Sequence, residues 1–317
     1  MQTSYFKTSK ALLAYLELPT PPESHDDEQA FVTRVPLGFA KLMEKGNPND
    51  PLLLQVLAST SENALVPGYK AHPLEESAYN PVPGLIHKYR SRVLLTVTGS
   101  CAIHCRYCFR RHFPYQDNNP GKKGWHKAFE YIQNDDRIDE VILSGGDPLM
   151  AKNGHLAVLL EGLAAIPHIK IIRMHSRIPI VEPERIDANF CNLFDHGRFR
   201  VVMVLHTNHA NELSREVAEA CARMRATGMQ LLNQSVLLKN INDSAEALIA
   251  LSRKLWSLGV LPYYLHELDK VQGAAHFEVN STQAKHLMAK LSEALPGYLV
   301  PKFVVEIPGR PNKTIRA

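Results

Sequence analysis

From Arg92 onward the chain alternates two kinds of segment, and this restricts the fold more than any other feature. Short runs rich in Val, Ile and Leu stand at 93–97, 140–143, 169–174, 199–205, 229–232 and 261–265. Between them, helix-like segments occupy 125–134, 154–165, 184–194, 211–227 and 244–258. Strands that alternate with helices argue for a parallel sheet built from βαβ units. Six such strands, most of them leading into a polar or glycine-bearing motif, predict a complete or partial (β/α) barrel. In that architecture the functional groups gather at the C-terminal ends of the strands.

The chain before Arg92 has another character. Residues 9–18 can form an amphipathic helix, and 19–29 are polar and proline-rich, a linker by composition. Apolar residues at helical spacing from Phe31 to Ser59 are interrupted by the turn Gly46-Asn-Pro-Asn-Asp-Pro51. Pro51 suits the first turn of the next helix, and Asp50 its cap. Residues 60–87 are rich in proline and turn formers. The expected division is a helical extension with its connecting loop over 1–85, a barrel core over 86–295 and a C-terminal segment over 296–317.

Three of the five cysteines, Cys101, Cys105 and Cys108, stand in a Cys-x3-Cys-x2-Cys spacing just after the first strand. Thiolates on one tight loop are soft ligands, suited to an iron–sulfur cluster or to zinc. Closed structural sites use four protein ligands and this loop offers three, which leaves one iron of a [4Fe–4S] cluster open. Such a spacing resembles the signature of the radical S-adenosylmethionine superfamily. A non-catalytic zinc or iron–sulfur module is the rival from another class. The remaining cysteines, Cys191 and Cys221, lie in helix-like segments and are expected to be ordinary buried thiols.

Composition narrows the setting. A formal charge of +4 with no block of five basic residues does not argue for a nucleic acid partner. No run of 18 apolar residues is present to span a bilayer, and the start of the chain lacks the features of a secretory signal. An open cluster needs a reducing compartment, so a cytoplasmic enzyme is expected.

Polar motifs stand at successive strand ends. Ser144-Gly145-Gly146-Asp147-Pro148 lets main chain approach a ligand closely and places a carboxylate for an ammonium. Arg173-Met-His-Ser176-Arg177 brings guanidinium groups suited to a carboxylate or ribose oxygens. His206-Thr-Asn-His209 and Asn233-Gln234-Ser235 come after the next two strands. Each alone reads as a satisfied polar strand end; their recurrence at successive strand ends is what that reading explains poorly. Lys313 alone would pass for a solvated residue near the chain end.

Taken together, Cys101 to Arg111, Ser144 to Pro148, Asn233 to Leu238, Leu261 to Asp269 and Val304 to Thr314 resemble the lysine 2,3-aminomutase family, in matching order over about residues 80–317. The forepart, Arg34-Val-Pro and Met43 to Leu53, is most similar to the branch that makes (R)-β-lysine for β-lysylation of elongation factor P. The resemblance implies a partial (β/α)6-type radical SAM barrel with an N-terminal helical extension. It implies a [4Fe–4S] cluster on Cys101, Cys105 and Cys108, S-adenosylmethionine, and pyridoxal 5′-phosphate (PLP) tethered to Lys313. Lys88 and Arg92 fall where basic residues reach the PLP phosphate, and Ser144, Gly145, Gly146 and Asp147 where the methionyl amino group is held. Arg173, Ser176, His206 and Gln234 complete the expected cofactor contacts. Arg110 falls where a substrate carboxylate is clamped, and Asp269 and Glu306 where the distal ammonium of lysine is held. The implied reaction is an isomerisation of L-lysine by 2,3-migration of its amino group, with a flavodoxin-type electron donor and a functional link to elongation factor P and its lysine ligase. An aminomutase for another amino acid, or for free β-lysine metabolism, is the alternative. Three departures stand out: Arg310-Pro-Asn replaces a glycine run before Lys313, Glu306 stands for Asp, and the sequence stops at Ala317 short of a zinc-binding tail, so the tetramer of longer members is not carried over.

Overall fold

The computed structural model describes residues 4–20, 31–115, 121–194 and 197–316, with the backbone alone over 121–124. Two short strands, β1 (Tyr5–Phe6) and β2 (Val35–Pro36), pair antiparallel in the forepart. All six apolar runs are strands of a second, larger sheet. They are β4 (Arg92–Thr98), β5 (Glu140–Gly145), β6 (Ile171–Ser176), β7 (Arg200–His206), β8 (Gln230–Val236) and β9 (Leu261–His266). The sheet gains β3 (Leu85–Tyr89) on one edge, then β10 (Lys302–Val305) and β11 (Thr314–Ile315) on the other. Strands β4 to β10 run parallel in sequence order, while β3 and β11 are antiparallel to their neighbours. The segment after residue 296 therefore contributes two strands to the sheet.

Register explains why the strands alternate as they do. Leu95, Leu143, Met174, Met203 and Leu231 are paired across five successive strands. All five are buried in the core that includes helix residues Leu156, Leu159, Val217 and Met224. Removing side chains of this size from water stabilises the fold by about 1.5–3 kcal/mol each. The next residue along belongs to the opposite face, because the side-chain period of a strand is two. There Leu94, Ile142, Arg173 and Val202 share one register row and line an internal cavity. The sheet is thus a curled, incomplete barrel with helices outside and a hollow inside.

Its open seam lies between β3 and the β10–β11 edge, and side chains cross it. Lys88 Nζ and the Tyr89 hydroxyl, both on β3, donate to Glu306 just past β10. No strand pairing is needed to bring the two edges together.

Helix expectations hold in part. Helices Gly121–Gln133, Asn153–Ala164 and Ala245–Ser257 lie within a few residues of the expected segments. The one expected over 184–194 is broken into Pro183–Arg185, Ala188–Cys191 and Asn192–Phe194, because Asp187 starts a fresh turn by accepting from Phe190 N. That over 211–227 begins at Arg215, where Ser214 accepts from Val217 N. Helix Ser281–Ala294 has no counterpart among the expected segments.

In the forepart, helix Ser9–Tyr15 is present, but between Phe31 and Ser59 the only regular α-helix among the described residues is Leu37–Ala40. Gly46 at φ +74° turns the chain, and Asp50 caps the turns that begin at Pro51 by accepting from Leu52 N and Leu53 N. Most of the expected linker, 21–29, lies outside the described residues. Leu12, Leu16, Phe39, Leu52, Leu53 and Val56 are fully buried in the same core as the sheet. The connecting loop then crosses the strand-end face. The backbone of Lys70 pairs with Lys270 and Gln272, and the Tyr79 hydroxyl accepts from Gly309 N.

Candidate active site

A cavity of about 940 Å³ occupies the barrel interior. Every candidate cofactor or substrate residue lines it: Cys101, Cys105, Cys108, Ser144, Gly145, Gly146, Asp147, Arg173, Ser176, His206, Gln234, Lys88, Arg92, Arg110, Asp269, Glu306 and Lys313. Cys191 and Cys221 are buried elsewhere in the helix-packed core. The cavity is not confined to the strand ends. Arg92 and Glu140 are the first residues of β4 and β5, and Arg173 lies mid-strand in β6. A closed barrel fills its interior with side chains; this open one leaves the space free.

The cysteine loop comes directly after β4, and its three thiols are free and half-buried. Burial, then Cys108, Asp147 and Cys105, push the Cys101 thiol well above its ordinary range. Burial, with Cys105 beside it, pushes Cys108 up to about 11. Thiols crowded this way favour a cationic partner that deprotonates them on binding. Among the described residues, no group of three or more His, Cys, Asp or Glu side chains is arranged to hold a single metal ion. A cluster takes one thiolate per iron, so its ligands need not converge on one point. The donor set fits a cluster.

The glycine motif after β5 serves the loop. A Cβ on Gly145, which has φ +119°, would lie 2.4 Å from Thr98 O, and one on Gly146 would lie 2.5 Å from Ser100 O. Gly146 N donates to Thr98 O at 2.8 Å and Asp147 N to Ser100 O at 2.9 Å. The close approach expected toward a ligand is made first to the cysteine loop.

Asp147 is engaged within the protein as well. Its carboxylate accepts from Leu149 N, Ser176 Oγ, Arg177 N and Ile178 N at 2.8–3.2 Å. A carboxylate offers about four acceptor positions, so Asp147 is committed to tying the ends of β5 and β6 together. Arg173 is likewise engaged, donating to Glu140 at 2.8 Å. His206 lies 2.9 Å from the Tyr107 hydroxyl. Burial, then Arg177 and His266, hold its pKa well below the usual range, so the ring is neutral.

Arg110 already clamps a carboxylate. Its Nε and Nη2 donate to Glu76 at 2.9 and 2.6 Å, and its Nη1 reaches Ser144 Oγ at 3.2 Å. Glu76 comes from the connecting loop of the forepart. A bidentate Arg–carboxylate pair inside the cavity shows what this guanidinium can recognise.

Across the cavity, Glu306 is the hub. Lys313 Nζ donates to Oε2 at 2.6 Å; Lys88 and Tyr89 hold Oε1. Burial works to raise this carboxyl, but Lys313, Lys88 and Tyr89 more than offset it and hold it at about 2. The neighbouring Asp269 differs: burial pushes it up to about 7, Lys313 opposing and Glu306 and Glu76 adding to the rise. The two acids expected to share one ammonium thus differ, because Glu306 is paired directly with cations while burial dominates at Asp269. Arg92 stacks over the Tyr89 ring at 4.1 Å, beside Lys88. A bulge in β9 brings Tyr263 and Tyr264 together onto the cavity wall, their rings 3.7 Å apart. An amine-bearing tether, basic neighbours and an aromatic wall fit PLP.

Comparison with known proteins identifies the family. Residues 90–175 match the family described as a 4Fe-4S single cluster domain. The chain is 52% identical over 287 residues to the L-lysine 2,3-aminomutase of Escherichia coli (strain K12), a match covering 90% of this chain and 84% of that one. It is 49% identical over 310 residues to the L-lysine 2,3-aminomutase of Haemophilus influenzae, covering 97% and 92%. The chain belongs to the lysine 2,3-aminomutase family. Membership makes it an amino-group isomerase of the radical S-adenosylmethionine type, in a family that works with a [4Fe–4S] cluster, S-adenosylmethionine and PLP. A radical SAM methyltransferase from Sphaerobacter thermophilus superposes with a TM-score of 0.50 at 17% identity, covering 70% of this chain and 68% of that one. That likeness concerns the fold, an α/β partial barrel. Among the described residues no helix is long and apolar enough to cross a membrane.

Several residues around this aminomutase cavity carry no signal in the sequence. Gln55, Glu62 and Glu76 come from the forepart, which by itself says nothing of chemistry. Glu62 is buried and accepts from Arg106 and Arg111, which flank the last cysteine. His175 lines the cavity with a buried, unpartnered Nε2; its place in the motif between Arg173 and Arg177 was the one available pointer to it.

Proposed function

We propose that this chain is an L-lysine 2,3-aminomutase that converts (S)-α-lysine to (R)-β-lysine and depends on PLP as well as on the cluster and S-adenosylmethionine. The observation that carries the reading is the charge arrangement of one cavity: a carboxylate clamp at Arg110, a half-buried acid at Asp269, and Lys313 beside Glu306. Lysine held by its α-amino group still presents a carboxylate and an ε-ammonium, and burying either unpaired is costly. Arg110 would exchange Glu76 for the substrate carboxylate. Asp269 would take the ε-ammonium as its counter-ion. Glu306 orients Lys313, and becomes available to the substrate once Lys313 is committed to the PLP carbonyl. Cys101, Cys105 and Cys108 would hold the cluster, with Ser144, Gly145, Gly146, Ser176, His206 and Gln234 around S-adenosylmethionine. Lys88 and Arg92 would meet the PLP phosphate. When bound, the cluster and S-adenosylmethionine supply a carbon radical that removes hydrogen, and PLP carries the nitrogen during migration. The protein's part is to position these groups and to exclude water and oxygen.

The finer reading is that the β-lysine serves elongation factor P through a lysine ligase, with a flavodoxin-type protein as electron donor. The similarity of the forepart to that branch supports it, and the reducing conditions an open cluster needs agree with it. The test is anaerobic incubation with L-lysine, S-adenosylmethionine and dithionite, then chiral chromatography of the products. (R)-β-Lysine is expected. Lys313→Ala should abolish it together with the near-visible absorbance of tethered PLP, and leave the cluster spectrum intact. Cys191→Ala should change neither. Turnover of glutamate at a rate comparable to lysine would sink the substrate assignment.

A further inference from the structure

Arg177 ends the motif after β6 and has no part in the proposed lysine and PLP contacts. Its guanidinium is buried, with 6% of the side chain exposed, and lies against the cysteine loop. Nη1 donates to Cys105 Sγ at 2.7 Å and to the Tyr107 hydroxyl at 2.6 Å. Nη2 donates to Glu212 at 3.0 Å and to Gln55 at 2.8 Å. The backbone at Arg177 is pinned by Asp147. Glu212 is fully buried and accepts in addition from Gln55 Nε2, Asn208 N and His209 N. A permanent cation is therefore held on the sulfur of one cysteine of the loop, with a buried anion behind it.

We propose that Arg177 is a positioning residue that sets the reduction potential of the cluster through Cys105, with Glu212 as its counterweight. This rests on reading Cys101, Cys105 and Cys108 as the cluster ligands. Reduction brings one electron from an external low-potential donor, which is itself oxidised by one electron; no bond forms or breaks. The electron adds one negative charge to the iron–sulfide core and its thiolates. An N–H···S bond and a fixed cation stabilise that more negative state and raise the potential. The effect is strong because the interior screens charge far less than water. Glu212 acts in the opposite sense, and it also keeps the guanidinium in place. Gln55 gives the forepart a share in the same arrangement.

The test is an anaerobic redox titration of the cluster-loaded protein with dithionite and mediators, reading the reduced cluster by electron paramagnetic resonance. Arg177→Gln keeps an N–H donor but removes the charge. Its reduced-to-oxidised ratio at a fixed potential should fall about tenfold, a shift of about 59 mV to more negative potential. Arg177→Lys should recover part of that. Glu212→Gln should shift the potential the other way. Opposite signs are what a general loosening of the loop would not give. The inference is overturned if Arg177→Gln carries an intact cluster at the wild-type potential, or if Arg177→Gln and Glu212→Gln move together. If Arg177→Gln takes up no cluster, Glu212→Gln decides, and no rise there overturns it. A wild-type protein that binds no cluster sinks the ligand reading along with this inference, whereas an unmoved potential sinks this inference alone.

Discussion

Asp269 and Glu306 show how far one residue's surroundings set its chemistry. Both are carboxylates on the same cavity, yet Glu306 is held at about 2 and Asp269 is pushed up to about 7. The difference is a supply of cations: Lys313 and Lys88 pair directly with Glu306, while burial dominates at Asp269. A cationic side chain binds the ionised form of Asp269. The lysine KM is therefore expected to rise as pH falls through about 7, approaching tenfold per unit well below it. Asp269→Asn should raise KM by at least about tenfold at alkaline pH, roughly 1.4 kcal/mol, and flatten that limb of the profile. A variant whose kcat/KM profile runs parallel to the wild type would rule Asp269 out as the titrating group.

At the level of elements, the short helix Glu76–Tyr79 has more influence than its four residues suggest. It is entered through Glu75 in a left-handed conformation (φ +50°), and it places Glu76 on Arg110 and Tyr79 under Gly309 N. Glu76 occupies the guanidinium that the substrate carboxylate would use, so the two compete. Glu76→Gln is expected to lower the lysine KM about fivefold, roughly 1 kcal/mol, by removing that competitor. Steady-state kinetics with varied lysine measures it; a raised KM would mean that Glu76 aligns Arg110 rather than blocks it.

For the whole molecule, the seam of the barrel matters most. Among the described residues, nine strands form a sheet whose edges are joined through Lys88, Tyr89 and Glu306 rather than through backbone pairing. The Glu306 pKa is depressed from an unfolded value of 4.5 to about 2, so its contribution is fully present above pH 4.5 and is lost as pH falls toward 2. Linkage puts that contribution at roughly 3 kcal/mol. Glu306→Gln should lower the midpoint of thermal unfolding at neutral pH, since removing one member of a buried pair costs about 3–5 kcal/mol. The same variant should lose part of the wild type's sensitivity between about pH 4.5 and 2. An unchanged midpoint and an unchanged acid limb would mean that the seam is held elsewhere.

What the sequence determined by itself is local. Strand alternation, helix periodicity and the cysteine spacing are written within a few neighbouring residues, so six strands and the loop after β4 were legible. Lys313, Lys88, Arg92 and Arg110 were legible only by resemblance, since no local pattern separates Lys313 from a surface lysine. Tertiary structure decided the partners. Asp147 is saturated by donors up to 31 positions away, Arg110 meets Glu76 across 34 positions, and Glu306 meets Lys88 across 218. It also decided burial, and with it which of two similar acids is pushed up and which is held down. Desolvation and charge pairing depend on distances that only the packed chain fixes. That is why Gln55, Glu62 and Glu76, with no local signal, came to surround the site, and why Arg177 is bonded to the cysteine loop.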